Sequence, residues 1–167
     1  MKRVAILGRG ASGKSTLAIR LGEITGLPVI ELDKLFWKPN LDPTPRDQWS
    51  EIQQRLAADD RWIIDGDLGP YDVLDIRLSA ADTVILLDLT FLRCAWRAFR
   101  RSRERLDFWN WLILYRWRYR PVLLQSIAKL AGSARIQILR SPSEVEAFVT
   151  EVSRELASGS SVKACSK

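Results

Sequence analysis

The chain has 167 residues, 47% of them hydrophobic, and a net charge of +6. That length suits one domain, and that apolar fraction excludes a disordered chain. No histidine is present, so histidine ligands and histidine general bases are excluded.

The elements follow in chain order. Val4–Leu7 is a short apolar run ending in glycine, as a buried parallel strand does. Lys14 to about Thr25 reads as a helix stopped by Gly26 and Pro28. Pro28–Leu32 is a second strand closed by Asp33. Three prolines make Lys38–Pro45 a loop. Thr44 is placed to cap a helix that has Pro45 in its first turn and runs to about Ala58. Trp62–Ile64 is a third strand, ending in Asp65-Gly66. Gly69–Ala80 connects, partly as helix, to a fourth strand at Thr83–Leu87. Phe91 to about Arg105 is a helix. Asp107–Leu130 is a long helical stretch that Pro121 should kink or split. Ile136–Leu139 is the fifth strand. Ser141 caps a last helix over Pro142–Leu156, and Ser158–Lys167 is a frayed tail.

Strands that are apolar on both faces and alternate with helices predict an α/β fold, a parallel sheet covered on both sides. One domain is expected over residues 1–157, with a flexible tail at 158–167. No apolar run approaches the roughly 20 residues of a membrane span. The stretch before Gly8 is too short for an export segment. A soluble cytoplasmic protein with reduced Cys94 and Cys165 is expected.

Gly8-Arg9-Gly10-Ala11-Ser12-Gly13-Lys14-Ser15 fills every fixed position of G-x-x-x-x-G-K-[ST]. Glycines let successive backbone N–H groups turn inward onto phosphate oxygens, and the following helix adds its positive end. Lys14 reaches the β- and γ-phosphates. Ser15 offers its hydroxyl to Mg²⁺, and Thr16 reaches a further phosphate. No N-K-x-D element is present, which favours ATP over GTP.

In such sheets ligands bind beyond the carboxyl ends of the strands. Asp65 stands there as a second Mg²⁺ group opposite Ser15, or as a turn aspartate before Gly66. Asp33 takes a proton from an attacking hydroxyl or orients the acceptor, or else caps a short helix through Lys34–Trp37. Asp88 caps or supports the helix after the fourth strand.

Between Arg93 and Arg120 nine arginines face only Glu104 and Asp107, a local charge of +7. Arg97 and Arg101 lie four apart on one helix face. On a lid they would neutralise the transferring phosphate and exclude water. Arg103 and Arg105 belong to the same lid, within a lid and helical segment at about residues 100–130. Two other readings stand beside this one. The arginines solvate a helix, with Trp109–Tyr119 as a homodimer contact. Alternatively, the interleaved aromatics serve single-stranded nucleic acid or a membrane surface.

The order of these motifs resembles the adenylate-kinase-like kinases of the P-loop superfamily. More narrowly, it resembles the bacterial DNA topology modulation (FlaR-like) proteins. The matching segments are Ile6–Leu17, Leu32–Trp37, Trp62–Gly66, Ala81–Asp88, Arg97 with Arg100-Arg101, Trp117–Tyr119 and Leu139–Ser141. The resemblance implies a three-layer P-loop fold with strand order 2-3-1-4-5 and a short Arg-rich lid. It implies ATP held by Gly8, Gly10, Ala11, Ser12, Gly13, Lys14, Ser15 and Thr16. It puts Arg97 and Arg101 over the adenine and phosphates, and Arg140 in the loop that cradles the base. Catalysis would rest on Lys14, Asp33, Arg97 and Arg101, and Mg²⁺ on Ser15 and Asp65. In adenylate kinases the Asp-Gly motif precedes an arginine that grips AMP, whereas Asp67 follows it here. The expected acceptor is therefore a nucleotide or another small hydroxyl-bearing molecule, with Lys34 and Lys38 as the nearest cations and Arg46 and Arg77 further on.

Overall fold

The computed structural model describes residues 1–40, 42–101 and 106–164. Five strands form one parallel sheet in the order β2-β3-β1-β4-β5. They are β1 (Arg3–Gly8), β2 (Val29–Glu31), β3 (Trp62–Asp65), β4 (Thr83–Leu87) and β5 (Arg135–Leu139). Strand β1 lies between β3 and β4, with Ile6 beside Asp65 and Gly8 beside Leu87. This register lines up Glu31, Asp65, Gly8, Leu87 and Leu139 near one edge.

Alternation along the three inner strands makes two cores. Val4, Ile6, Ile63, Ile85 and Leu87 pack against Leu17 and Leu21 of α1 (Lys14–Thr25) and Phe148 and Val152 of α8 (Pro142–Ala164). Ala5, Leu7, Ile64, Val84 and Leu86 form the opposite core. It is completed by Trp49 of α3 (Arg46–Ala58), Leu78 of α4 (Leu74–Ala80) and Leu123 and Ile127 of α7 (Arg120–Leu130). The result is the three-layer arrangement expected.

Three local expectations change. Strand β2 stops at Glu31, and Leu32–Phe36 forms helix α2, so Asp33 lies in a first helical turn rather than at a strand end. Thr44 does not cap α3. Its hydroxyl donates to the Phe36 carbonyl at 2.6 Å, and Pro45 holds the cap position. The cause is tertiary: Trp37 and Pro43 bridge antiparallel and fold the loop back on α2. Helix α5 (Phe91–Arg101) follows β4 as expected, its expected end near Arg105 lying outside the described residues, and α8 continues past Leu156. Ser141 caps α8 as expected: its hydroxyl accepts the Glu144 N–H, while Glu144 accepts the Arg140 N–H.

The long helical stretch divides as Pro121 requires. Helix α6 (Leu106–Leu114) widens into a π-helical turn at Tyr115–Tyr119, in which the Arg120 N–H reaches back to the Tyr115 carbonyl. Pro121 has no N–H for the Trp117 carbonyl, and its ring crowds that oxygen, so the preceding turn opens.

Candidate active site

The phosphate loop leaves β1 at Gly8 and enters α1 at Lys14. Two backbone positions fix its shape. Gly13 has φ +99°, and a Cβ there would stand 3.0 Å from the Arg97 Nη1. Ala11 also lies in the left-handed region, at φ 56°. Such conformations in non-glycine residues are held by their surroundings and cluster at functional sites.

Lys14 curls back over the loop. Its Nζ donates to the Gly8 carbonyl at 3.0 Å and the Arg9 carbonyl at 3.2 Å. Arg97 arrives from α5, and its Nη1 donates to the Ser12 carbonyl at 2.8 Å. Two cations from opposite sides thus rest on neutral carbonyls of one loop. Ser15 and Thr16 are exposed in the first turn of α1, where phosphate oxygens would approach.

Three carboxyls share the Lys14 charge. Asp65 is buried, and burial raises its pKa, while Lys14 and a hydrogen bond with Ser15 pull it down. Its Oδ1 has no partner. Asp33 is exposed in the first turn of α2, yet the protein behind it still raises its pKa by desolvation, with Lys14 opposing. Burial raises Asp67 too, against Lys14 and the Gly69 N–H that it accepts at 3.1 Å. A cavity of about 540 Å³ opens beside Asp67, lined by Arg46, Ser50, Gly69, Arg118 and Tyr119 among others.

Arg77, one of the expected cations, is absent from this crevice. It is fully buried and paired through both terminal nitrogens with Asp72, each at 2.6 Å. It also donates to Gln53 and to the Gly66 carbonyl. This pairing holds Asp72 below the usual carboxylate range despite burial. Arg77 therefore anchors the turn after β3. Asp88 is likewise corrected. It accepts both Nε and Nη2 of Arg120, tying β4 to α7 instead of capping α5.

Of the lid arginines, Arg103, Arg105 and the side chain of Arg101 lie outside the described residues. What covers the loop among the described residues is aromatic. A Cβ on Gly10 would stand 2.5 Å from the Trp111 ring and 2.6 Å from that of Phe108. Arg9 is buried and stacked, its Cζ 5.0 Å from the Tyr115 ring centroid and 5.7 Å from that of Phe91. Sequence reasoning missed this cage, since nothing at a variable loop position points to partners 82 and 106 residues away. Within the proposed dimer segment, Leu112 and Tyr115 turn inward, leaving Ile113 and Trp117 as the exposed large apolar groups. Arg140 stays exposed in the loop after β5.

Comparison with solved structures finds this fold in other proteins. Shikimate kinase from Acinetobacter baumannii, in complex with shikimate, matches with a TM-score of 0.66 at 13% identity, over 95% of this chain and 94% of that one. The two chains share a fold. A gluconokinase from Sinorhizobium meliloti 1021 matches at TM-score 0.54 and 18% identity, over 95% of this chain and 97% of that one. Deoxyadenosine kinase from M. mycoides with bound dCTP matches at 0.52 and 14% identity, over 89% and 97%. No family model matches the chain, and its sequence matches none of the curated proteins. Among the described residues no helix is long and apolar enough to cross a membrane. No group of three or more acidic or cysteine side chains there could hold a metal ion.

Proposed function

We propose that the protein is a Mg-ATP-dependent phosphotransferase acting on a nucleotide or another small hydroxyl-bearing acceptor. One observation carries this reading: Lys14 and Arg97 converge on one phosphate loop, donating to its Gly8, Arg9 and Ser12 carbonyls. Phosphoryl transfer needs mainly positioning and charge stabilisation. Both cations can exchange neutral carbonyls for phosphate oxygens, because charge-assisted bonds are the stronger ones. The backbone of Gly8–Thr16 holds the phosphates. Arg101 and Arg140 complete the nucleotide side.

Mg²⁺ fits the pair Ser15 and Asp65, since both offer hard oxygens and the Asp65 Oδ1 is buried without a partner. Bound there, the ion would neutralise charge on the phosphates, which with water would fill its other positions. Asp33, in the first turn of α2 with a raised pKa, faces the acceptor hydroxyl and accepts its proton. The cavity beside Asp67 receives the rest of the acceptor, with Arg46 and Arg118 at its wall. The structures that share this fold carry the names of small-molecule and nucleoside kinases, which supports an acceptor of that size.

The test is ADP release across nucleoside monophosphates, nucleosides and small alcohols, with and without Mg²⁺. Lys14→Ala lowers the rate on the best acceptor by about 100-fold or more. A Lys14→Ala protein with the parent rate would sink the proposal. A second reading is an ATP-binding regulator with little turnover, acting on DNA topology or a protein partner. The exposed arginines Arg93, Arg100, Arg116 and Arg118 support it. It requires DNA affinity that falls steeply with salt, and no binding at low salt removes the DNA form of it.

A further inference from the structure

Helix α5 carries a surface that the phosphotransfer reading does not use. Successive residues step about 100° around a helix. On α5 this sorts the side chains into three arcs. Cys94 and Ala98 face inward and are buried. Leu92, Trp96 and Phe99, spaced i, i+4 and i+7, form a second arc and are 78%, 62% and 69% exposed. Arg93, Arg97 and Arg100 repeat the same spacing one residue on, and all are exposed.

Large apolar groups scattered singly on a surface need no explanation, but three in one stripe mark an interaction site. The arginines beside them state the partner's charge. Helix α5 contains no acidic residue, and among the described residues no carboxylate pairs with Arg93 or Arg100. The partner must offer an apolar phase and negative charge side by side.

A second copy of this chain does not. Two α5 helices packed antiparallel, stripe to stripe, about a two-fold axis would bring their arginine arcs together, and like charges in contact oppose association. Single-stranded nucleic acid supplies the charge, but Leu92, the most exposed member of the stripe, has no aromatic face for a base. An anionic bilayer supplies both. Leucine and phenylalanine enter the acyl boundary, the tryptophan indole sits at headgroup level, and arginine stems lie along the apolar surface with their charges on the headgroups.

We propose that α5 is a membrane-docking helix, which lays the Leu92–Trp96–Phe99 stripe into the interface of an anionic lipid bilayer with Arg93 and Arg100 on the headgroups. Arg97 ties this helix to the Ser12 carbonyl, so docking would hold the phosphate loop at a fixed distance from the lipid surface.

The experiment is co-sedimentation of the full chain with vesicles of phosphatidylcholine alone or with about a third phosphatidylserine, at low and physiological salt. The protein is expected on the phosphatidylserine vesicles and not on the neutral ones. Leu92→Glu with Phe99→Glu should lower the partition coefficient at least tenfold at both salt concentrations. Arg93→Gln with Arg100→Gln should lower it and flatten its salt dependence. Circular dichroism and ATP binding by each variant check that the fold survives. No binding to phosphatidylserine vesicles at low salt overturns the proposal. So does equal binding by the Leu92→Glu, Phe99→Glu variant with its fold intact. Capture of a single-stranded oligonucleotide by the same face in place of vesicles assigns the surface to nucleic acid. A dimer in light scattering that the glutamate variant dissolves assigns it to a second copy.

Discussion

The cations of the phosphate loop and the cation beneath the turn after β3 differ in what they hold. Among the described residues, Lys14 and Arg97 donate only to backbone carbonyls of the loop. Arg77 donates twice to the Asp72 carboxylate, and its terminal nitrogens also reach Gln53 and the Gly66 carbonyl. A carbonyl is a weak competitor for a phosphate, so the loop cations can be taken by a ligand. A guanidinium closed in a buried ion pair cannot, because leaving would strand a carboxylate away from water. Residue type therefore does not separate a substrate-binding cation from a structural one; the partner does.

The largest effect expected from this contrast is on stability. Arg77→Met leaves Asp72 buried with only Gln53 and the Leu68 N–H. Unfolding in urea should show a loss of about 3–5 kcal/mol. Adding Asp72→Asn to Arg77→Met should recover part of that loss, since the buried charge goes with it. A loss no larger than that of an exposed substitution would erase the distinction between the two cations.

The loop cation should respond the other way round. Arg97→Met removes one bond to a neutral carbonyl and leaves no buried charge. Its urea midpoint should stay near the parent value, while ADP release falls by about 100-fold or more. If Arg97→Met unfolds like Arg77→Met, Arg97 is a second structural arginine and the phosphotransfer reading loses one of its two cations.

The parts that were legible in the sequence are the parts whose geometry is local. Gly13 takes a left-handed turn and opens α1, so a motif of eight consecutive residues encodes the loop directly. Pro121 acts on its own preceding turn, so the break in the long helix was legible too. The Ser141–Glu144 cap is confined to four residues. The errors over side-chain partners all involve groups that local spacing does not bring together. Thr44 finds the Phe36 carbonyl through a folded-back loop. Asp88 meets an arginine 32 positions on. Asp72 and Arg77 are five apart, off the spacing of neighbours on a helix, and straddle the start of α4. The aromatic cage of Arg9 needs α5 and the π-helical turn to be in place first.

A smaller effect concerns pH and separates the two acids of the turn after β3. Asp72 is held below 3.8 by Arg77. Its stabilising share is full above the unfolded value and disappears as pH falls through the lower folded one. Asp67 is raised above 3.8 by burial. The folded state holds this proton more tightly than the unfolded chain does, so its share favours folding below 3.8 and is lost as pH rises through the folded value. Asp67→Asn should therefore raise the melting temperature at pH 7 and leave it unchanged at pH 3. The asparagine carbonyl can still accept the Gly69 N–H. A fall in melting temperature at pH 7 would mean that the ionised Asp67 is stabilised by something other than the groups around it here.

The smallest effect tests whether burial, and not the bidentate geometry, makes the Arg77 pair structural. Arg20 and Glu146 join α1 to α8 through two bonds of 2.6 and 2.7 Å, nearly the geometry of Arg77 with Asp72. Their side chains are 36% and 61% exposed, against 0% and 5% for the buried pair. Water screens the exposed pair and solvates either partner when the other is removed, so no stranded charge results. Arg20→Met should barely move the urea midpoint, and added salt should reduce even that difference. If Arg20→Met destabilises as Arg77→Met does, then two parallel bonds are sufficient wherever they form. The separation of loop cations from anchoring cations would then rest on geometry in place of burial.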